Sequence, residues 1–241
     1  MERRNFLKVV GATGALVAVS PSTITGELRA NDGSLFQAFE KTQLVGEDGT
    51  PLKASALTKE VNYVFNYPLI GTPSIMIDLP ETAQKDVELT SEDGDKYIWK
   101  GGVGSKGTIV AYLAICAHQL AHPTPEDTFI QYCKKGESGI APDFAGLFCS
   151  SHIAQYDAGA GCKVVSGPAT QPLASIIIEV DADDTLWASA VLGPERMKEY
   201  LKVFKPEMKK FYGGKRKSKK KVSGTAVAVA MNKYTKEIIQ Y

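Results

Sequence analysis

The stretch that decides the fold runs from Ile115 to Leu173 and contains three short motifs. The first is Cys116-Ala117-His118, and the second is Phe148-Cys149-Ser150-Ser151-His152. The third is Gly167-Pro168-Ala169, followed by Pro172-Leu173. Each of the first two motifs offers one thiolate and one imidazole on a single short loop. Together the two loops supply four metal donors of two chemical kinds.

This donor set suits a cluster with two chemically different irons. Thiolates are soft ligands that favour iron–sulfur chemistry, and neutral imidazole also binds iron. Two cysteines on one iron and two histidines on the other form the ligand set of one kind of [2Fe–2S] centre. A structural zinc site is the alternative, but zinc sites usually space like ligands together, as C-x2-4-C and H-x3-5-H. Here each pair is mixed, so the motifs favour the [2Fe–2S] cluster.

The motifs resemble those of the Rieske iron–sulfur proteins over roughly residues 109–191. The resemblance implies an all-β fold, a Rieske-type antiparallel β-sandwich with a cluster-binding subdomain formed by two loops. It also implies that Cys116 and Cys149 bind the inner iron. His118 and His152 match the ligands of the outer, more exposed iron.

Two further segments match the family, and three positions depart from it. Gly167-Pro168-Ala169 resembles the loop that covers the cluster, and Tyr156 matches a tyrosine whose hydroxyl bonds a ligand sulfur. Many quinol-oxidising members join the two ligand loops by a disulfide, but the matching positions here are Ala121 and Ser151. Ala154 stands where a serine commonly bonds a bridging sulfide. Since hydrogen bonds to sulfur stabilise the reduced cluster, we expect a potential below that of the quinol-oxidising members.

Within the family, the chain most resembles the small subunit of arsenite oxidase. Tyr67-Pro68, Thr72-Pro73-Ser74, Gly101-Gly102-Val103-Gly104 and residues 109–112 carry this likeness. It implies a large catalytic partner subunit that contains molybdopterin, and an electron acceptor such as cytochrome c. The alternative is the Rieske subunit of a quinol-oxidising cytochrome bc complex, whose partner would be cytochrome b. In both cases the chain transfers single electrons and is not expected to be catalytic alone.

Residues 1–30 resemble a Tat-type export signal. Arg3-Arg4 is followed by Phe6-Leu7-Lys8 and by a weakly apolar run over residues 9–19. This run is shorter than the ~20 residues that a bilayer span requires. The signal is therefore either removed or kept as a weak membrane anchor, and we expect a periplasmic protein or one on the outer face of the cytoplasmic membrane.

The rest of the chain divides into three parts. Residues 31–62 are polar and punctuated by glycine, with one helix-like or strand-like piece around Ser34–Phe39, which predicts a linker or an arm on a partner subunit. Residues 63–192 predict the Rieske domain, with its cluster-binding part at about 109–173, because short β-branched and aromatic runs alternate with turns. Residues 193–241 predict a charged extension, in which the basic run 215–221 favours a solvated tail over an acidic partner or anionic lipid. A net charge of +1 provides no general attraction for nucleic acid.

Features outside the motifs give three more expectations. Cys133 and Cys162 flank the second motif, and in an oxidising compartment they are expected to form a disulfide, with two free thiols as the alternative. His122 lies too far around its loop to be a ligand and is expected near the cluster, on a docking surface. Residues 225–231 are apolar and predict a terminal strand that pairs with another subunit.

Overall fold

Antiparallel sheet dominates the computed structural model, which describes residues 35–240. The strands are β1 (Phe36–Val45), β2 (Tyr63–Asn66), β3 (Pro73–Asp78), β4 (Val87–Thr90), β5 (Lys96–Trp99), β6 (Ile109–Leu113), β7 (Asp127–Thr128), β8 (Ile130–Cys133), β9 (Gly146–Cys149), β10 (Ala154–Asp157), β11 (Lys163–Ser166), β12 (Ser175–Val180), β13 (Leu186–Leu192), β14 (Thr225–Val227), β15 (Val229–Ala230) and β16 (Glu237–Ile238). The helices are α1 (Met197–Val203), α2 (Lys205–Tyr212), α3 (Lys215–Ser218) and α4 (Met231–Tyr234), with short 3-10 turns at Ala54–Ala56 and Ala158–Ala160. The predicted all-β class is confirmed. The predicted export signal lies outside the described residues.

Eight strands form the largest sheet, in the order β14-β1-β13-β12-β6-β3-β2-β15. Its neighbours are antiparallel, except that β1 and β14 run parallel. Strands β6 and β12 pair only through Tyr112 and Ser175. The half that ends with β12 is therefore free to diverge from the half that begins with β6. Residues of both halves share one buried apolar cluster, as in a sandwich.

Strands β3 and β6 form the wall between this sandwich and the part of the molecule that carries the ligand motifs. Every residue of both strands is buried, because each strand is covered on both faces. Met76 belongs to the apolar cluster inside the sandwich, whereas Ile75 and Ile77 belong to the cluster on the other side. Successive side chains of a strand point to opposite faces, so one short strand contributes to two cores. Burying a side chain of this size contributes about 1.5–3 kcal/mol.

A four-stranded sheet, in the order β11-β10-β9-β8, carries the second ligand motif. It packs on the outer face of the wall, where Tyr132, Leu147 and Tyr156 share a cluster with Ile75 and Ile77. The segment between the two ligand motifs is mostly irregular, but it also provides β7 and β8. The remaining pairs are β4 with β5 and β16 with β7.

The prediction of a linker over residues 31–62 is wrong for β1. This ten-residue strand pairs with β13 on one side and with β14 on the other. The sequence hides the strand because its pairing register shifts between Ala38 and Thr42, which interrupts the alternation of apolar and polar residues.

The expectation of a solvated tail over residues 215–221 is also wrong. The backbone of this segment docks on the loop after β2, where the Ile70 and Gly71 N–H groups donate to the carbonyls of Lys220 and Ser218, both at 2.9 Å. Ser218 is fully buried, although the neighbouring lysine side chains point to solvent. Charge composition predicted the exposure of these side chains but not the docking of their backbone.

Residues 225–231 form strands as predicted, but these pair within the chain. Strand β14 lies beside β1, and β15 lies beside β2. The predicted limits of the Rieske domain at residues 63 and 192 therefore do not coincide with the limits of its largest sheet. No helix in residues 35–240 has the length and apolar character needed to cross a membrane.

Candidate metal centre

The first ligand loop follows β6, a fully buried strand that holds the start of the loop in place. The Cys116 N–H donates to the Ala121 carbonyl at 2.8 Å, and the Leu120 N–H donates to the Cys116 carbonyl at 3.0 Å. Leu120 adopts a positive φ of 62°, which closes this turn. The turn points Cys116 into the core and leaves His118 partly exposed.

The second ligand loop joins β9 to β10 in a hairpin. Cys149 ends β9 and pairs with Ala154, the first residue of β10. The Ser150 N–H donates to the Phe129 carbonyl at 2.7 Å, which fixes the start of the loop against the neighbouring segment. Ile153 has a positive φ of 59°, so this loop is also closed by a residue in the left-handed region.

The fold sorts the four side chains into like pairs. The thiol groups of Cys116 and Cys149 lie close enough to shift each other's pKa, and both residues are at most 1% exposed. The rings of His118 and His152 meet edge to face, with their centroids 4.8 Å apart. His152 is exposed to solvent. Motifs that are mixed in sequence thus become a buried sulfur pair and an outer nitrogen pair.

Tyr156 contacts the sulfur pair from the next strand. Its hydroxyl lies 3.3 Å from Cys116 Sγ, within hydrogen-bond distance of a sulfur acceptor. Burial, followed by the neighbouring thiolate, raises the pKa of Tyr156. The hydroxyl therefore keeps its proton at ordinary pH and is able to donate to a thiolate.

The two thiols shift each other's pKa in opposite directions. The neighbouring Cys149 thiol, helped by the hydrogen bond with Tyr156, lowers the pKa of Cys116 to about 6. The Cys116 thiol, together with burial, raises the pKa of Cys149. Two buried thiolates repel each other, so both ionise together only when a cation lies between them. A ferric ion supplies that positive charge, which makes this pair suitable for iron.

His118 fits the same interpretation. Its Nδ1 atom is buried and has no hydrogen-bond partner among residues 35–240. A buried polar atom without a partner is costly, and a metal ion satisfies an imidazole nitrogen of this kind. The four side chains therefore suit a [2Fe–2S] cluster, with two donors for each iron. No single group of three or more His, Cys, Asp or Glu side chains in the described residues is arranged to hold one metal ion.

The third motif packs directly on the second ligand loop. Gly167 has a φ of 94°, and a Cβ atom at this position would meet the Ile153 carbonyl oxygen and would lie 2.7 Å from Ala154 Cα. Only glycine fits this close approach of two backbones. Pro168 is exposed and Ala169 is buried, so the motif lies at the edge of the site with one side in the core.

Comparison with known proteins identifies the domain that carries these loops. Residues 77–177 match the model of the Rieske [2Fe–2S] domain. This chain contains a Rieske [2Fe–2S] domain. Its cofactor is a Rieske-type [2Fe–2S] cluster, and its function is electron transfer.

Two similar proteins align with most of the chain. The iodate reductase subunit IdrB of Denitromonas iodatirespirans is 28% identical over 193 residues, which is 80% of this chain and 82% of that protein. IdrB of Pseudomonas sp. strain SCT is 28% identical over 80% of each chain. A similar solved structure is the soluble domain of Rieske protein II from Sulfolobus acidocaldarius, with a TM-score of 0.45, 23% identity, and coverage of 77% of this chain and 93% of that one.

The expected disulfide near the Rieske cluster site is absent. Cys133 and Cys162 are both buried free thiols in the structure. Cys133 ends β8 in the four-stranded sheet, whereas Cys162 packs in the core near Tyr112 and Asp157. Burial raises the pKa of Cys133 to about 11 and also raises that of Cys162, so both thiols stay protonated and unreactive.

His122 is not on a docking surface, contrary to expectation. It is 6% exposed, and its Nε2 lies 2.7 Å from Glu207 Oε2 on α2. Its Nδ1 lies 2.7 Å from the Leu120 carbonyl oxygen. The ring packs between Tyr200 and Phe204, at centroid distances of 4.5 and 4.6 Å. His122 therefore attaches the first ligand loop of the Rieske domain to the C-terminal helices.

Arg196, just before α1, is a site residue that the sequence reasoning missed. Its guanidinium donates to the carbonyls of Ala117 and His118, in the second case at 2.8 Å. The same group is ion-paired with Glu199 at 2.7 Å. The Arg-x-x-Glu spacing predicts the local ion pair but contains no signal for a contact with residues almost eighty positions earlier.

Proposed function

We propose that this chain is the small, electron-transferring subunit of an exported oxidoreductase resembling arsenite oxidase. Cys116 and Cys149 hold the inner iron of its Rieske cluster, and His118 and His152 hold the outer iron. The observation that supports this assignment is the sorting of two mixed motifs into a buried sulfur pair and an outer nitrogen pair.

The cluster, when bound, supplies reversible one-electron transfer. The side chains of this chain set its conditions. The buried cysteines exclude water from the inner side, and the Tyr156 hydroxyl donates to a ligand sulfur. His152 lies at the surface and gives electrons a short route to a partner. The chain needs no substrate pocket of its own and is not catalytic alone.

The partner is a large catalytic subunit that contains molybdopterin. Two observations support a two-subunit enzyme: the likeness to the arsenite oxidase small subunit, and relatives that are named as subunits of iodate reductase. An oxidase delivers electrons to its small subunit, whereas a reductase withdraws them. A one-electron carrier serves either direction, and a soluble cytochrome c is the proposed second partner.

Spectroscopy of the purified chain tests the ligand assignment. We expect visible absorption, an EPR signal after reduction, two irons per chain and no zinc. The substitution His152→Cys should change both spectra, because a thiolate would replace an imidazole on the outer iron. Cys133→Ser is the matched control and should leave both spectra unchanged. A colourless protein with stoichiometric zinc would contradict the proposal.

Co-purification tests the proposed partner and location. A tag at the C-terminus, used in the native host, should recover a large molybdenum-containing subunit from the periplasmic fraction. Replacing both Arg3 and Arg4 by lysine should leave the chain in the cytoplasm. Recovery of cytochrome b instead of a molybdenum protein would reject the arsenite oxidase-like assignment.

A further inference from the structure

The contact between Arg196 and the first ligand loop suggests an additional role for the C-terminal segment. One guanidinium nitrogen donates to two successive backbone carbonyls, those of Ala117 and His118. Ala117 lies between the two proposed ligands of this loop, and His118 is itself a proposed ligand. The side chain of Arg196 is only 26% exposed, so this contact is shielded from bulk water.

Glu199 fixes the orientation of Arg196. Its carboxylate accepts from Nε at 2.8 Å and from the second terminal nitrogen at 2.7 Å. The carboxylate therefore occupies one edge of the planar guanidinium, and the other edge faces the ligand loop. A guanidinium that binds two partners along two edges is held more rigidly than an ammonium group would be.

We propose that Arg196 is a positioning residue of the Rieske centre, which fixes the first ligand loop and favours the reduced state of the cluster. The proposal rests on the ligand assignment given above. Reduction adds one negative charge to the centre, and a partly buried positive charge that contacts the ligand loop stabilises that added charge. Glu199 opposes this effect, because its own charge is negative and lies on the far side of the guanidinium.

These opposing charges predict potential shifts of opposite sign. Arg196→Gln keeps a hydrogen-bond donor near the loop but removes the positive charge, so the reduction potential should fall. Glu199→Gln removes the negative charge and leaves Arg196 charged, so the potential should rise. For Arg196→Gln we expect about a tenfold loss in the equilibrium constant for reduction, which is about 59 mV for a one-electron couple.

The experiment is a redox titration of the purified, cluster-containing chain, followed by its visible circular dichroism. Arg196→Lys retains the charge and should keep a potential near that of the wild type, while losing the cluster more readily on dilution. Arg216→Gln is the control, because it removes the same charge from an exposed position on α3. Its potential should equal that of the wild type.

The outcomes separate this proposal from the one on which it rests. A wild-type protein without a [2Fe–2S] spectrum would overturn the ligand assignment. A normal spectrum with an unchanged potential in Arg196→Gln would overturn only the role of Arg196. If Arg196→Gln does not retain its cluster, Glu199→Gln decides, and a potential that fails to rise rejects the proposal. Equal shifts in Arg196→Gln and Arg216→Gln would also reject it, because the effect would then come from net charge alone.

Discussion

The two ligand loops each carry one cysteine and one histidine, but different parts of the molecule support them. The first loop is held by residues far away in sequence. Arg196, just before α1, binds its backbone, and Glu207 on α2 binds His122. The second loop is held mainly by its own hairpin, by Gly167 and by the bond from the Ser150 N–H to the Phe129 carbonyl. One distant contact adds to these, since the Ser150 hydroxyl donates to the Ile239 carbonyl at 2.6 Å. No disulfide joins the loops, since all four cysteines are free in the structure.

This difference separates two ways of stabilising a metal site. Local support depends on backbone geometry, so it tolerates little change at one or two residues. Distant support depends on several side chains, so each change has a smaller and more graded effect. Substitutions in each loop test this distinction.

Gly167→Ala should cause the largest loss. The new Cβ would collide with the backbone of Ile153 and Ala154, and alanine would also be strained at a φ of 94°. Overpacking costs about 1–3 kcal/mol and the left-handed conformation about 1–2 kcal/mol, so we expect roughly 2–5 kcal/mol in chemical denaturation. The second ligand loop should shift, and iron content should fall.

Gly136→Ala is the control for that measurement. Gly136 has a φ of 87°, but its Cβ would meet no described atom within 4 Å. Gly136→Ala should therefore lose only the about 1–2 kcal/mol of unfolding free energy that the left-handed backbone conformation costs, and it should retain full iron content. Equal losses in the two variants would show that the backbone contact of Gly167 contributes nothing.

Glu207→Ala should have the next largest effect, on the first loop. It leaves the buried His122 Nε2 without its partner, which costs about 1–3 kcal/mol in the free energy of unfolding. Hydrogen exchange should increase in residues 116–122 and remain unchanged in residues 149–154. Glu126→Ala, which removes an exposed ion pair with Lys210, should leave both loops unchanged. Faster exchange in the second loop would contradict independent support.

The sequence predicted well the features that depend on neighbouring residues of the chain. The mixed motifs pointed to two loops whose side chains the fold does bring together, and Tyr156 was matched to a sulfur that its hydroxyl does contact. Short β-branched and aromatic runs between turns over residues 63–192 also indicated that this part of the chain is built of strands. These features succeed because each depends on residues that are close together in the chain, where spacing determines geometry.

The contacts between residues far apart in the chain could not be predicted in the same way. Nothing around His122 indicates that Glu207 lies beside it, and nothing around Arg196 indicates Ala117. Only the start of strand β1 was anticipated, as a helix-like or strand-like piece, because polar residues and a register shift interrupt the apolar pattern of the rest. In each case the stabilising partner is supplied by the tertiary fold, and a single sequence contains no periodic signal for such a contact.

Tyr156→Phe should have a smaller effect, on potential more than on stability. Losing one hydrogen bond to sulfur destabilises the reduced cluster by about 1 kcal/mol. For a one-electron couple, this lowers the reduction potential by about 40 mV. The measurement is a redox titration at fixed pH. Tyr97→Phe is the control, because the buried Tyr97 hydroxyl has no hydrogen-bond partner in residues 35–240. A potential that does not fall in Tyr156→Phe would show that the hydroxyl does not act on the cluster.

Ile153→Gly should have the smallest effect and the most informative sign. Ile153 is β-branched, 48% exposed and strained at a φ of 59°, so glycine relieves strain while little buried surface is lost. Relief of about 1–2 kcal/mol is offset by a cost of about 0.5–1 kcal/mol for ordering glycine, and stability should rise slightly or stay level.

Leu120→Gly makes the corresponding change in the first loop, at a φ of 62°. Leu120 is only 4% exposed, so the loss of a buried side chain, about 2–5 kcal/mol, exceeds the relief of strain. Leu120→Gly should therefore lower the free energy of unfolding, whereas Ile153→Gly should raise it slightly or leave it unchanged. If Ile153→Gly were as destabilising as Leu120→Gly, the second loop would depend on side-chain packing like the first. The distinction between local and distant support would then be wrong.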